Sequence, residues 1–152
     1  MGGPLSQTYK NYFTLDSNSS VLAVPLSNFG HTSFLTLLFN SGVLWTIGNS
    51  HAKAYGCMRF TTVFGLGCAL ASVLAAKEVY SAGGQQLAGC IGGTSALLTY
   101  NIFANPNWFN AVKYMPHPFL LLILLSMYGA MENDKGVIGG VAGGFAAFML
   151  AL

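Results

Sequence analysis

Apolar residues fall into five blocks along the chain, separated by short polar stretches. The blocks run from about His31 to Gly48, Met58 to Ala76, Leu87 to Ala104, Pro118 to Met131 and Gly136 to Leu152. Four of them hold 17 to 19 residues, close to the roughly 20 that cross a ~30 Å hydrocarbon core. The fourth holds 14, so it is expected to tilt little, to stop below the interface, or to begin earlier near Val112. Each block is expected to be helical, because a lone strand leaves its backbone groups unpaired in lipid. The links carry the polarity: Asn49 to Cys57 with His51 and Lys53, Lys77 to Gln86 with Glu78, Asn105 to His117 with Trp108, Lys113 and Tyr114, and a tight turn from Glu132 to Lys135. This pattern predicts an all-α, polytopic membrane bundle of five transmembrane helices. It forms one domain, residues 29–152, behind a polar segment, 1–28. A polar tail frays unless something ties it down, so a partner is expected to hold residues 1 to 20.

Composition sharpens this picture. Of 152 residues, 53% are hydrophobic and only 7% are charged, against about 25% charged in soluble domains. A lipid bilayer is the solvent that such a surface fits. The 19 glycines suit close helix packing in membranes. A net charge of +2 without any basic run excludes nucleic acid as a partner. Cys57, Cys68 and Cys90 have no paired spacing, and the last two sit in apolar blocks as small hydrophobes. The N-terminus has no signal-peptide core and no Arg-rich amphipathic leader. Its Gly2 and Ser6 formally fit a loose myristoylation pattern. Lys and Arg divide evenly between the two sides, so orientation rests on acids, which lean towards the side of Lys53, Arg59 and Lys113 being cytoplasmic or matrix-facing.

Two blocks carry unusual polarity. The first places His31, Thr36 and Asn40 in or near the membrane, with Thr36 and Asn40 four apart on one helix face. The third buries Ser95 among small neighbours in Gly92-Gly93-Thr94-Ser95-Ala96. Polar side chains at that depth are costly and should face protein or water. Taken singly, each reads as hydrogen-bonding glue between helices. Chemistry needs a nucleophile, a base and an oxyanion donor together.

In order along the chain, these residues resemble the motifs of the rhomboid intramembrane serine proteases. Phe29, His31, Phe34, Leu37 and Asn40 match the family's F-x-H-x-x-F-x-H-L-x-x-N, with Thr36 in place of the second His. Gly48, Gly56, Arg59 and Phe60 match G-x-x-x-E-x-x-x-G-x-x-R-F, with Ala52 in place of the Glu. Gly93-Thr94-Ser95-Ala96 resembles the nucleophile motif G-x-S-G. Gly139, Gly140 and Gly144 match the three glycines of H-x-G-G-x-x-x-G, whose His is the general base, and Val137 occupies that His position. The matched helices cover residues 29 to 152, and the family's first helix has no counterpart in residues 1–28.

The resemblance implies a rhomboid-like fold without the chemistry. A serine hydroxyl needs a neighbouring base, and valine accepts no proton. His31 starts the first block, while His51 and His117 lie in links on the opposite side. Ser95, Asn40, Thr36 and Val137 are therefore expected to be vestigial positions, and the chain is expected not to be an enzyme. Gly136, Gly140 and Gly144 recur every four residues, as do Gly139 and Gly143, and Gly89 pairs with Gly93. These glycines are expected to pack the third and last helices together.

The expected role is a structural or interaction subunit in a hetero-oligomeric complex of membrane proteins. The mitochondrial inner membrane, in a respiratory or ATP synthase assembly, is favoured over the endoplasmic reticulum. A derlin-like or inactive-rhomboid pseudoprotease that binds substrate helices is the second reading, although the Trp-Arg pair associated with derlins is absent. A residual serine protease using Ser95 is the third. A transporter is disfavoured, because no Asp, Glu, Lys or Arg lies mid-span. No cofactor or metal is expected, and structural lipids are compatible with the surface.

Overall fold

The computed structural model describes residues 4–31, 34–82, 89–104 and 134–151. These residues form helices and turns, and no strand occurs among them. Helix α1 spans Pro4–Phe13, with proline at the first position, where its missing N–H costs nothing. A short α2, Ala23–Leu26, runs into a 3₁₀ turn, Ser27–Phe29. Helix α3, Phe34–Val43, passes through a π-type turn at Leu44–Gly48 into α4, Asn49–Tyr55. Helices α5, Cys57–Ala82, α6, Ile91–Ala104, and α7, Asp134–Ala151, complete the set. Among the described residues one helix, Cys57–Ser81 with a mean hydropathy of 1.6, is long and apolar enough to cross a membrane. Val137–Ala151 is apolar but shorter.

Several boundaries differ from the sequence expectation. The stretch after Gly48 is not a loose link. It stays helical to Tyr55 because Asn49 to Tyr55 contains no Gly or Pro to stop it. The stop comes at Gly56, whose φ of +86° is a backbone state that side chains other than glycine rarely adopt. The second block likewise runs past Ala76 to Ala82, since Lys77 and Glu78 are good helix formers. The expected fourth crossing, Pro118 to Met131, lies outside the described residues, as does His117.

Helix α6 is the centre of the bundle, with Ile91 through Asn101 buried on every side. Helices α5 and α7 pack on it and on each other through glycine. A Cβ added at Gly143 would meet Gly67 Cα at 2.8 Å and Gly67 N at 2.9 Å. One added at Gly139 would run into the backbone of Leu70 and Ala71. On the next strip of α7, Gly140 faces Gly92 and Ser95, and Gly144 faces Ala96 and Thr99. The pairs 139/71 and 143/67 make α7 antiparallel to α5. The pairs 140/92 and 144/96 make it parallel to α6.

The described part of the N-terminal segment makes contacts of its own with the bundle. Leu15, at 0% exposure, packs with Ala23, Ala75 and Val79. The Asn28 amide donates to Ser72 Oγ at 2.6 Å, joining this strap to α5. The Tyr9 hydroxyl donates to the His31 carbonyl at 3.0 Å and accepts the His31 N–H at 2.7 Å. Its aromatic and apolar side chains, sparse in a polar sequence, supply the anchor.

The glycine seam is directly testable. Gly143→Leu should lower stability by about 1–3 kcal/mol or more through overpacking against fixed backbone. Gly42→Leu should leave it unchanged, because nothing lies within 4 Å of the added carbon. Thermal unfolding in detergent, followed by circular dichroism, reads both.

Candidate functional site

Thr94, Ser95 and Thr99 show how α6 handles hydroxyls. Thr94 Oγ1 donates to the Ile91 carbonyl at 3.0 Å, and Thr99 Oγ1 donates to the Ser95 carbonyl at 2.9 Å. Such back-bonding satisfies a hydroxyl without a partner helix. Ser95 departs from this pattern. Its side chain is fully buried, and its Oγ has no hydrogen-bond partner.

Helix α7 lies directly over Ser95. A Cβ at Gly140 would stand 2.7 Å from Ser95 Cβ. Val137 precedes Gly140 by three residues, about 4.5 Å along the axis on nearly the same face. Its side chain is buried in the core that includes Ile91, Ala96 and Leu97. An aliphatic group thus occupies the position one turn from the serine. Gly139 and Gly143 turn to α5, while Gly140 and Gly144 turn to α6. Gly93 packs on Phe64 and on Cys68 Sγ of α5. Gly136 lies within α7, with its surroundings outside the described residues.

Gly89 does not share this role. It precedes α6, and its φ is +117°. Its N–H donates to the Ser27 carbonyl at 2.8 Å. The left-handed turn precedes α6, which starts four residues later than the apolar pattern suggests, so Gly89 is a turn glycine and not a packing one.

Asn40 is buried on α3, and neither its Oδ1 nor its Nδ2 has a hydrogen-bond partner. Thr36 lies in the same helix, with its side chain outside the described residues. His31 is half-buried, with its backbone clasped by Tyr9 and its Nε2 unpartnered. Buried polar groups are nearly always paired, and Ser95, Asn40 and His31, which the motifs had singled out, each keep an unpartnered atom. Among the described residues no group of three His, Cys, Asp or Glu gathers as metal ligands. The three cysteines are free.

His51 belongs to a second polar cluster that sequence reading missed. It is fully buried on α4, not exposed in a link. Its Nδ1 lies 2.9 Å from Asn101 Oδ1. With the amide oxygen as acceptor, Nδ1 carries the proton. Tyr55 and Tyr100 flank the ring at centroid distances of 4.9 and 5.1 Å. His51 Nε2, Tyr55 Oη and Asn101 Nδ2 have no partner. Asn101 is six residues beyond Ser95, about 9 Å along α6, which places His51 well away from that hydroxyl. A signal for this existed in the chain. Asn40, Val43, Ile47 and His51 follow helical spacing, and all four are buried.

Burial holds the His51 pKa below its ordinary value of 6.5, with the Asn101 hydrogen bond opposing and Arg59 assisting. The folded state therefore favours neutral imidazole. Its stabilising contribution is complete above pH 6.5 and declines as pH falls below that value towards the lowered folded pKa. His51→Gln should flatten this decline in unfolding midpoints measured between pH 7.5 and 5. Asn101→Leu, which strands the Nδ1 donor, should cost about 1–3 kcal/mol by the same measurement.

A family model for the Rhomboid domain matches residues 18–152. The match begins ahead of residue 29, where the apolar pattern sets the domain boundary, and so includes Ala23 and Asn28 of the segment that packs on α5. No curated protein matches the chain at a significant level.

Proposed function

The chain belongs to the rhomboid family, and we propose that it is a non-catalytic member that serves as a structural subunit of a larger membrane protein complex. One observation carries the reading: the Ser95 hydroxyl is buried and unpartnered beneath a glycine helix whose position 137 is valine. A serine hydroxyl is a poor nucleophile until a base takes its proton. Losing a triad base leaves at best about 10³–10⁴ of acceleration over water. Burial of the hydroxyl beneath α7 also disfavours access of a peptide or water.

A subunit role draws support from the outer face of α3 and α4. Ser41, Trp45 and Asn49 recur every four residues and are all exposed, along a groove of 470 Å³. In lipid, exposed polar side chains on an otherwise apolar face favour a partner helix that hydrogen-bonds to them. We place the complex in the mitochondrial inner membrane ahead of the endoplasmic reticulum, on the low charge of the spans.

Two measurements test the proposal. Gentle isolation from native membranes should yield a fixed, stoichiometric set of co-purifying chains. Migration as a lone 16.0 kDa chain would overturn the subunit role, and a varied set of single-helix clients would favour substrate binding instead. A fluorophosphonate probe that labels an active rhomboid should leave Ser95 unlabelled, and labelling there would overturn the non-catalytic assignment.

A further inference from the structure

An apolar groove of 590 Å³ opens where the end of α4, the start of α5 and the end of α7 meet. Val63 and Ala147 form its buried floor, with Leu66 at its inner end. Met58 and Leu150, more than four-fifths exposed, form its rims. The one charged side chain among the described residues lining it is Arg59.

Depth gives the groove its meaning. Arg59 is the third residue of α5, at the start of the span Cys57–Ser81. It therefore sits at headgroup level and not in the hydrocarbon. Lys53 is exposed at the same end of the bundle. Two acids lie towards the opposite end of α5, Glu78 on that helix and Asp16 beside Leu15, which packs on Ala75 and Val79. From Arg59 to Leu66 the groove descends about 10 Å into the apolar layer. The backbone contact between Gly67 and Gly143 closes it there.

We propose that this groove binds one anionic phospholipid, with its phosphate on Arg59 and an acyl chain along Val63, Leu66, Ala147 and Leu150. The volume falls in the range of small-molecule sites, about 300–1,000 Å³, and a cation at its mouth suits a charged headgroup better than an apolar helix. The guanidinium presents several donors in a planar fork that suits phosphate oxygens. A basic pocket between spans at one membrane face is the arrangement that recognises acidic headgroups. The site is separate from the Ser95 seam and does not depend on the subunit reading. It depends only on the chain lying in a membrane.

Native mass spectrometry of the detergent-purified full chain tests it, with titrations of phosphatidylglycerol and phosphatidylcholine. The wild type should prefer phosphatidylglycerol by about tenfold, Arg59→Lys should keep most of that preference, and Arg59→Gln should abolish it. Leu150→Trp, which fills the groove from its rim, should weaken binding of both lipids. Inorganic phosphate at millimolar concentration should not displace the lipid. Equal affinity for the two lipids, an unchanged preference in Arg59→Gln, or displacement by phosphate alone would each overturn the proposal. Circular dichroism of each variant separates lost binding from lost fold. Should Arg59→Gln not fold, undiminished binding of both lipids by a folded Leu150→Trp would overturn the proposal.

Discussion

The bundle depends on backbone meeting backbone where α7 crosses α5 and α6. Lipid tails are as apolar as leucine, so helices in a bilayer gain little from hydrophobic burial against each other. Attraction must come from dispersion at short range, which weakens quickly as surfaces separate. Gly139 and Gly143 bring α7 onto Leu70, Ala71 and Gly67 of α5, while Gly140 and Gly144 bring it onto Gly92 and Ala96 of α6. No other residue type leaves room at these four positions. The same contact sets Ser95 beneath α7 and orients Val137 beside the core, so scaffold and candidate chemistry share one seam.

Within that seam, the glycines and the residue at position 137 meet different demands. The glycines act through the space they leave, and the residue at 137 acts through what its side chain can accept. The two requirements are independent. Val137 adds buried aliphatic surface to the core around Ile91 and Leu97.

Polarity in the interior is organised at two levels along the bundle. Near the start of α6, Ser95 is an unpaired group, and Asn40 is another on α3. Near its end, His51 and Asn101 pair within a cage of Tyr55, Tyr100 and Phe60. A low dielectric raises both the worth of a made hydrogen bond and the cost of a missing one. The neutral His51 is the arrangement such surroundings favour. The strap at residues 14–30 closes the opposite end of the bundle through Leu15, Asn28 and Ser27, and so joins the fold without crossing it.

The apolar blocks by themselves determined that the chain is helical and membrane-borne, and the ordered motifs from Phe29 to Gly144 determined the kinship. Both follow from local rules: block length is set by bilayer thickness, and small residues at fixed spacing mark close packing. The places of His51 and Gly89 were not legible in that way. A polar residue in a short polar stretch looks like a link until a second helix supplies Asn101, and a glycine in an apolar run looks like a packing residue until its backbone angle is known. Likewise, only the tertiary structure decided which glycine strip faces which helix, that the N-terminal strap packs on α5, and that α5 and α7 leave a cationic groove at one end. Each of these depends on contacts between residues far apart in the chain, and spacing along a single helix carries no record of what will pack against it.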